Sequence, residues 1–303
     1  MAKLSTKKHS NVHRCIIFGP PKAGKSLIAG KLAEFYKIIW VDMENGHEVL
    51  FQLPEEWQER VELVNLPDTR SYPVAIETVL KMVKGPVDIC EEHGKVGCMI
   101  CKKNEAEFVH TDLPNMKDPE CIVVFDSLTQ LSNSAIAHIT KKESDDYKLT
   151  YDDWGNLGKL LDIFLSHIQQ AGYHCIVISH EVESETEGKK KKLVPVGGTR
   201  NFSRNVAKYF DHVIYAEVKN KKHVFASSTT YNNVILTGSR TDTALETNDD
   251  GSLLPIFKPE LYGSESNVVK SLAAASNTKQ PTGDSAAQSV LADRDWETDY
   301  HRH

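Results

Sequence analysis

Gly19-Pro20-Pro21-Lys22-Ala23-Gly24-Lys25-Ser26-Leu27 is the stretch that decides the fold. Its first eight residues match G-x-x-x-x-G-K-[ST]. The glycines let successive backbone N–H groups curl around a chain of phosphates, and the helix that follows aims its positive N-terminal end at them. Lys25 is placed to reach the outer phosphates, and the Ser26 hydroxyl to meet Mg²⁺. The flanks suit this reading. Residues 13–18 form a short apolar run before the loop, and Leu27, Ile28, Leu32 and Phe35 recur at helical spacing within 25–36 after it.

The same alternation continues outward. Residues 37–42, 121–126 and 173–179 read as buried strands, and 73–83 and 154–171 as amphipathic helices. Continuous apolar strands separated by helices predict an α/β fold with a mainly parallel sheet covered on both faces. Residues 211–218, 222–228 and 233–237 read as short antiparallel strands extending that sheet. One domain over 13–262 is expected. Residues 1–12 read as a flexible segment and 263–303, rich in Ser, Ala, Asn, Thr and Asp, as a disordered tail. Trp296 and Tyr300 in that tail could form a docking peptide.

Composition sets limits on function. Of the 303 residues, 36 are Lys or Arg and 42 are Asp or Glu, a net charge of −6. A uniformly basic coat is excluded, so any nucleic-acid contact must come from a local basic segment. No apolar run approaches a membrane span, and the basic N-terminus has no apolar region behind it. The expected location is the cytoplasm, with no membrane partner.

Two acidic positions complete a nucleotide site. Asp126 ends an apolar strand and would hold Mg²⁺ beside Ser26. Ile38-Ile-Trp-Val-Asp42-Met-Glu44 brings two further acids to a strand end. Ligands of open α/β sheets bind at such ends. Glu44 is the candidate to orient the attacking water, while Asp42 reads as structural.

Cys90, His93, Cys98 and Cys101 have the spacing C-x₂-H-x₄-C-x₂-C within an insertion at 85–119. Two close ligand pairs can close a tetrahedron around Zn²⁺, with Gly94 and Gly97 allowing the turn. His110 and Cys121 are reserve ligands.

These segments together resemble the RecA-type recombinase core, and most closely the short RecA-like annealing ATPases of bacteriophages. The resemblance rests on Gly19–Ser26, on 41–44, on 122–131, and on Ile176-Val-Ile-Ser179-His180 followed by a polar loop with Gly197 and Gly198. It covers about 13–240. It implies ATP and Mg²⁺ as cofactors and a homo-oligomer, ring or filament. It implies DNA-stimulated ATP hydrolysis that promotes single-strand annealing or homologous recombination, in a bacterial host cytoplasm if the chain is phage-encoded. His180 takes the place of the residue that senses the γ-phosphate. The 181–204 loop takes that of a DNA-binding loop. There Lys189, Lys190, Lys191, Lys192, Arg200 and Arg204 would meet phosphates of single-stranded DNA, and Phe202 would stack on a base. Lys219 and Lys221 stand where a neighbouring subunit would supply cations in trans. The tail is a candidate contact for a single-stranded-DNA-binding protein. A helicase-like motor or loader, a small-molecule kinase and a non-catalytic nucleotide-binding adaptor stay open as other readings.

Overall fold

Apolar β-branched runs place the strands, and polar turn residues separate them. The computed structural model describes residues 12–69, 72–185, 191–229, 232–240, 245 and 252–262. The strands are β1 (Arg14–Phe18), β2 (Lys37–Asp42), β3 (Val61–Asn65), β4 (Val87–Cys90), β5 (Phe108–Thr111), β6 (Cys121–Asp126), β7 (His174–Ser179), β8 (Glu181–Glu185), β9 (Lys191–Pro195), β10 (His212–Lys219), β11 (Lys222–Ala226) and β12 (Gly238–Ser239). The helices are α1 (Lys25–Gly30), α2 (Glu55–Gln58), α3 (Val74–Met82), α4 (Met99–Lys103), α5 (Leu128–Thr140), α6 (Tyr151–Gln170), α7 (Arg200–Asn205) and α8 (Leu254–Phe257).

The main sheet runs β11-β10-β1-β7-β6-β2-β3, with β12 against β10. From β10 to β3 every pairing is parallel, while β11 and β12 join β10 antiparallel. This is the α/β P-loop NTPase fold expected from the sequence. Successive side chains point to opposite faces. Ile16 and Phe18 therefore join the core under α3, α5 and α6, while Cys15 and Ile17 join the core under α1 and α8. Parallel pairing also aligns the strand ends. Asp42 sits opposite Asp126, and Phe18 opposite Ser179, so the residues after β1, β2, β6 and β7 gather at one edge.

The structure corrects several boundaries. The helix expected over 25–36 stops at Gly30 and continues as a 3₁₀ turn, Lys31–Glu34. Residues 233–237 form no strand; Ile235 makes a single bridge to Leu193. The 181–204 segment is not an open loop. It is the antiparallel hairpin β8–β9 followed by α7. Residues 1–11, Lys189, Lys190 and the tail from 263 lie outside the described residues. Among those described, no helix is long and apolar enough to cross a membrane.

Gly19 shows how tightly the loop is set into the sheet. Its φ is 151°, and a Cβ there would lie 2.0 Å from the Ala216 carbonyl oxygen on β10. Backbone cannot yield as a side chain can. Gly19→Ala is expected to cost about 1–3 kcal/mol in denaturant unfolding; a neutral result would show that β10 does not press on the loop.

Candidate nucleotide site and metal centre

The loop after β1 wraps one wall of a cavity of about 640 Å³, lined also by Glu44, Asp126, Ser127, His180 and His223. Gly24 has φ 84° and Lys22 φ 64°, which fold the loop back on itself. Lys25 Nζ lies over the loop and donates to the carbonyls of Gly19, at 3.1 Å, and Pro20, at 2.7 Å. Burial lowers the pKa of its ammonium, and the charges of Asp126, Glu44 and Glu181 oppose that fall. A phosphate chain offers the same ammonium a stronger, charged acceptor.

Ser26 Oγ donates to Asp126 Oδ2 at 2.8 Å across the cavity floor. Asp126 is only 3% exposed. Burial pushes its carboxyl up to about 7, and the charges of Glu44 and Asp42 push the same way, against the Ser26 hydrogen bond and Lys25. A hydroxyl and a carboxylate in contact at the foot of a phosphate-binding loop are the donor set that Mg²⁺ takes, oxygen only. The residues therefore fit Mg²⁺-nucleotide, whose metal supplies charge neutralisation at the transferred phosphate.

Asp42, fully buried, builds the turn that carries Glu44. It accepts from the backbone N–H groups of Glu44, Gly46 and His47 and pairs with His47 Nδ1 at 2.6 Å. Glu44 accepts a hydrogen bond from Ser127 Oγ and lies 3.8 Å from His180 Nε2. His180 Nδ1 is buried without a partner among the described residues. Its backbone N–H donates to Thr129 Oγ1 at 2.9 Å.

Three participants were not singled out from sequence. Ser127 braces Glu44, and Thr129 anchors His180. His223 lies on β11, two hundred residues from the loop. Its Nδ1 is 3.0 Å from the Ala23 carbonyl, and a Cβ on Gly24 would lie 2.9 Å from it. Ser127 and Thr129 could have been found from their place just beyond the strand-end Asp126. His223 left no local signal.

The other proposed residues sit further out. Lys219 and Lys221 mark the β10–β11 turn, where Asn220 and Lys221 have φ of 51° and 64°. Lys219 Nζ is 3.6 Å from Glu217. Lys191 is in β9 and pairs with Glu183 at 3.2 Å. Lys192 follows it, and Arg200 is exposed at the start of α7. Arg204 Nε donates to Ser184 Oγ at 2.7 Å, which ties α7 to the hairpin. Phe202, expected to stack on a base, is a partly buried ring that packs against the core beside Gly197 and Gly158.

The insertion brings Cys90, His93, Cys98 and Cys101 together, with their ligand atoms within 4.8 Å of one another. Cys90 ends β4, and Cys98 and Cys101 bracket the first turn of α4. His93 Nδ1 is 3.1 Å from Cys101 Sγ and 3.9 Å from Cys98 Sγ. A tetrahedral zinc with thiolate bonds of about 2.3 Å would hold its ligands roughly 3.8 Å apart. Three thiols and an imidazole at such spacing can hold a metal ion of that kind. Gly94, at φ 61°, is pressed against Asn65 and Leu66, and its carbonyl accepts from Thr78 Oγ1 at 2.8 Å. The turn is thereby docked on the edge of the main sheet. The reserve ligands are elsewhere: His110 pairs with Asp88, and Cys121 begins β6.

Fold and site define a P-loop ATPase core. A family model described as AAA domain matches residues 12–246, and the chain belongs to that family. No curated protein matches the chain.

Two outcomes are expected here. A folded-state pKa near 7 for Asp126 lies above the unfolded value of about 3.9. The native chain then binds a proton that the unfolded chain releases. The Asp126 contribution to stability falls as pH rises from about 4 to 7, by roughly 2–4 kcal/mol in nucleotide-free protein. Asp126→Asn removes that fall. Burial holds His174 and His212 near 4, and these titrate with the opposite effect, so the difference between parent and variant isolates Asp126. Urea unfolding of both proteins at several pH values checks it; parallel curves would contradict it. For the metal centre, elemental analysis of protein prepared without chelator should find about one zinc per chain, lost in Cys98→Ser. Zinc-free parent protein would overturn the assignment.

Proposed function

We propose that this ATPase binds single-stranded DNA in an ATP-dependent manner and promotes annealing or homologous recombination, as a homo-oligomer of phage origin whose insertion holds zinc. The observation that carries the proposal is the junction after β7. Ser179 ends the strand, and its Oγ donates toward the carbonyls of His180, at 2.9 Å, and Val196, at 3.1 Å. The Val196 N–H donates to the His180 carbonyl at 2.9 Å and closes the base of the β8–β9 hairpin. His180 thus faces the nucleotide cavity with its ring and holds the hairpin with its backbone. A nucleotide that moves His180 also moves the hairpin whose strand β9 carries Lys191 and Lys192; Lys189 and Lys190 directly precede them in sequence. Glu44, beside His180, orients the attacking water. Lys219 and Lys221, on a turn that projects from the loop edge, act in a neighbour's site.

Single-stranded DNA meets that hairpin with its phosphates. With four to six phosphates neutralised, log affinity falls with log salt at a slope of about −3 to −4. Replacing the four lysines by Ala should flatten the slope and weaken binding for all sequences alike. Normal binding by that variant at every salt concentration contradicts the proposal. Glu44→Gln should retain nucleotide and slow hydrolysis at least tenfold. Hydrolysis at the parent rate would remove Glu44 from its role. His180→Ala should leave ATP bound but abolish its effect on DNA affinity.

A further inference from the structure

We infer that His223 is a phosphate-binding residue of the nucleotide site, carried there by the end of the β10–β11 hairpin that overhangs the loop. The inference concerns the ATP site alone and does not depend on DNA binding. Strand register places the residue. β1 ends its pairing with β10 at Phe18 opposite Tyr215, while β10 runs on to Lys219. The last residues of β10 and the first of β11 therefore stand beside the loop, with His223 opposite Val218. Alternation along the strand settles its side. Phe225, two residues on, lies in the core under α1 together with Ala23 of the loop. His223 faces the same way, onto the loop where it enters α1.

The ring rests on the loop backbone and also lines the nucleotide cavity. A Cβ on Gly24 would meet Nδ1 at 2.9 Å, so glycine is what lets the ring come this close. Nδ1 is 3.0 Å from the Ala23 carbonyl oxygen. That oxygen can only accept, so Nδ1 carries the proton and the tautomer is fixed. Nε2 has no hydrogen-bond partner among the described residues. In the neutral ring Nε2 is a lone pair. A polyphosphate in the cavity favours the imidazolium, whose Nε2–H donates to a phosphate oxygen while Nδ1–H keeps the carbonyl. Nucleotide binding then takes up a proton. The other charged groups of the cavity and the hairpin act in both directions. Lys22 and Lys25 on the loop, and Lys219, Lys221 and Lys222 on the hairpin, oppose the imidazolium but draw phosphate. Glu44, Asp126, Glu181 and Glu217 favour it, and His180 titrates beside them. Added phosphate charge tips this balance toward the protonated ring.

The test uses the full chain with Mg²⁺ and two probes, a non-hydrolysable ATP analogue and inorganic tripolyphosphate, in titration calorimetry. His223→Ala and His223→Asn should each weaken both probes about tenfold or more, because a charge-assisted hydrogen bond is lost. The asparagine amide can take the place of Nδ1–H on the Ala23 carbonyl but offers nothing in the place of Nε2. Thermal unfolding confirms that the variants are folded. Titration near pH 7 in buffers of different ionisation enthalpy counts protons. The parent should take up a fraction of a proton, up to about one, beyond what His223→Asn takes up. Asp126 and His180 titrate in both proteins, so the difference belongs to His223. Parent-like affinity in His223→Asn means that the ring only props the loop, and overturns the inference. A loss for the ATP analogue with none for tripolyphosphate moves the contact to the base or ribose and also overturns it, as does equal proton uptake by parent and variant. Failure of the parent to bind either probe overturns the nucleotide site itself, and the role of His223 with it.

Discussion

The contact between Ser26 Oγ and Asp126 Oδ2 is the constraint on which the rest of the molecule depends. One partner opens a helix and the other ends a strand a hundred residues later. They meet only because β1, β7, β6 and β2 run parallel and finish level with one another. Parallel pairing demands crossovers, and the helices α1, α3, α5 and α6 that make them bury both faces of the sheet. The price of that level edge is a carboxylate held away from water with two more acids nearby. Its proton is released most readily when a metal cation takes the proton's place.

Everything attached to this edge can respond to what fills the cavity. Asp42 uses its whole acceptor capacity to shape the Glu44 turn. Ser127, after the adjacent β6, and His180, after β7 one strand further along, approach Glu44 from the same side of the sheet. The Cys/His turn is pressed on the end of β3, and the β8–β9 hairpin grows from the end of β7. Hydrogen bonds and tight backbone contacts join these pieces, so a shift at the phosphates has short, stiff routes outward.

Much of the core was legible in the sequence because its signals are local. The phosphate loop needs its glycines and lysine at fixed spacing, and the buried parallel strands are uninterrupted apolar runs. The Cys and His ligands fall within twelve residues of one another. What was missed depends on distant contacts. The strand Val61–Asn65 lies at the sheet edge with Glu62 and Leu63 exposed, so its pattern is mixed. The helix Leu128–Thr140 is rich in Ser, Thr and Asn, poor helix formers. It is held by the Ser127 cap and by Ser134 bonding to Asp68. His223 reaches the loop only through the antiparallel return of β11. The partly buried seat of Phe202 beside Gly197 and Gly158 comes from such contacts as well.

The central claim is that occupancy of the ATP site and occupancy of the DNA surface are one coupled equilibrium. ATP turnover measured with and without single-stranded DNA, at low salt and saturating Mg²⁺, tests it most directly. The account predicts a several-fold rise in turnover with single-stranded DNA that disappears when the hairpin lysines are replaced. Turnover that is measurable but indifferent to DNA, in protein shown to bind it, would contradict the coupling.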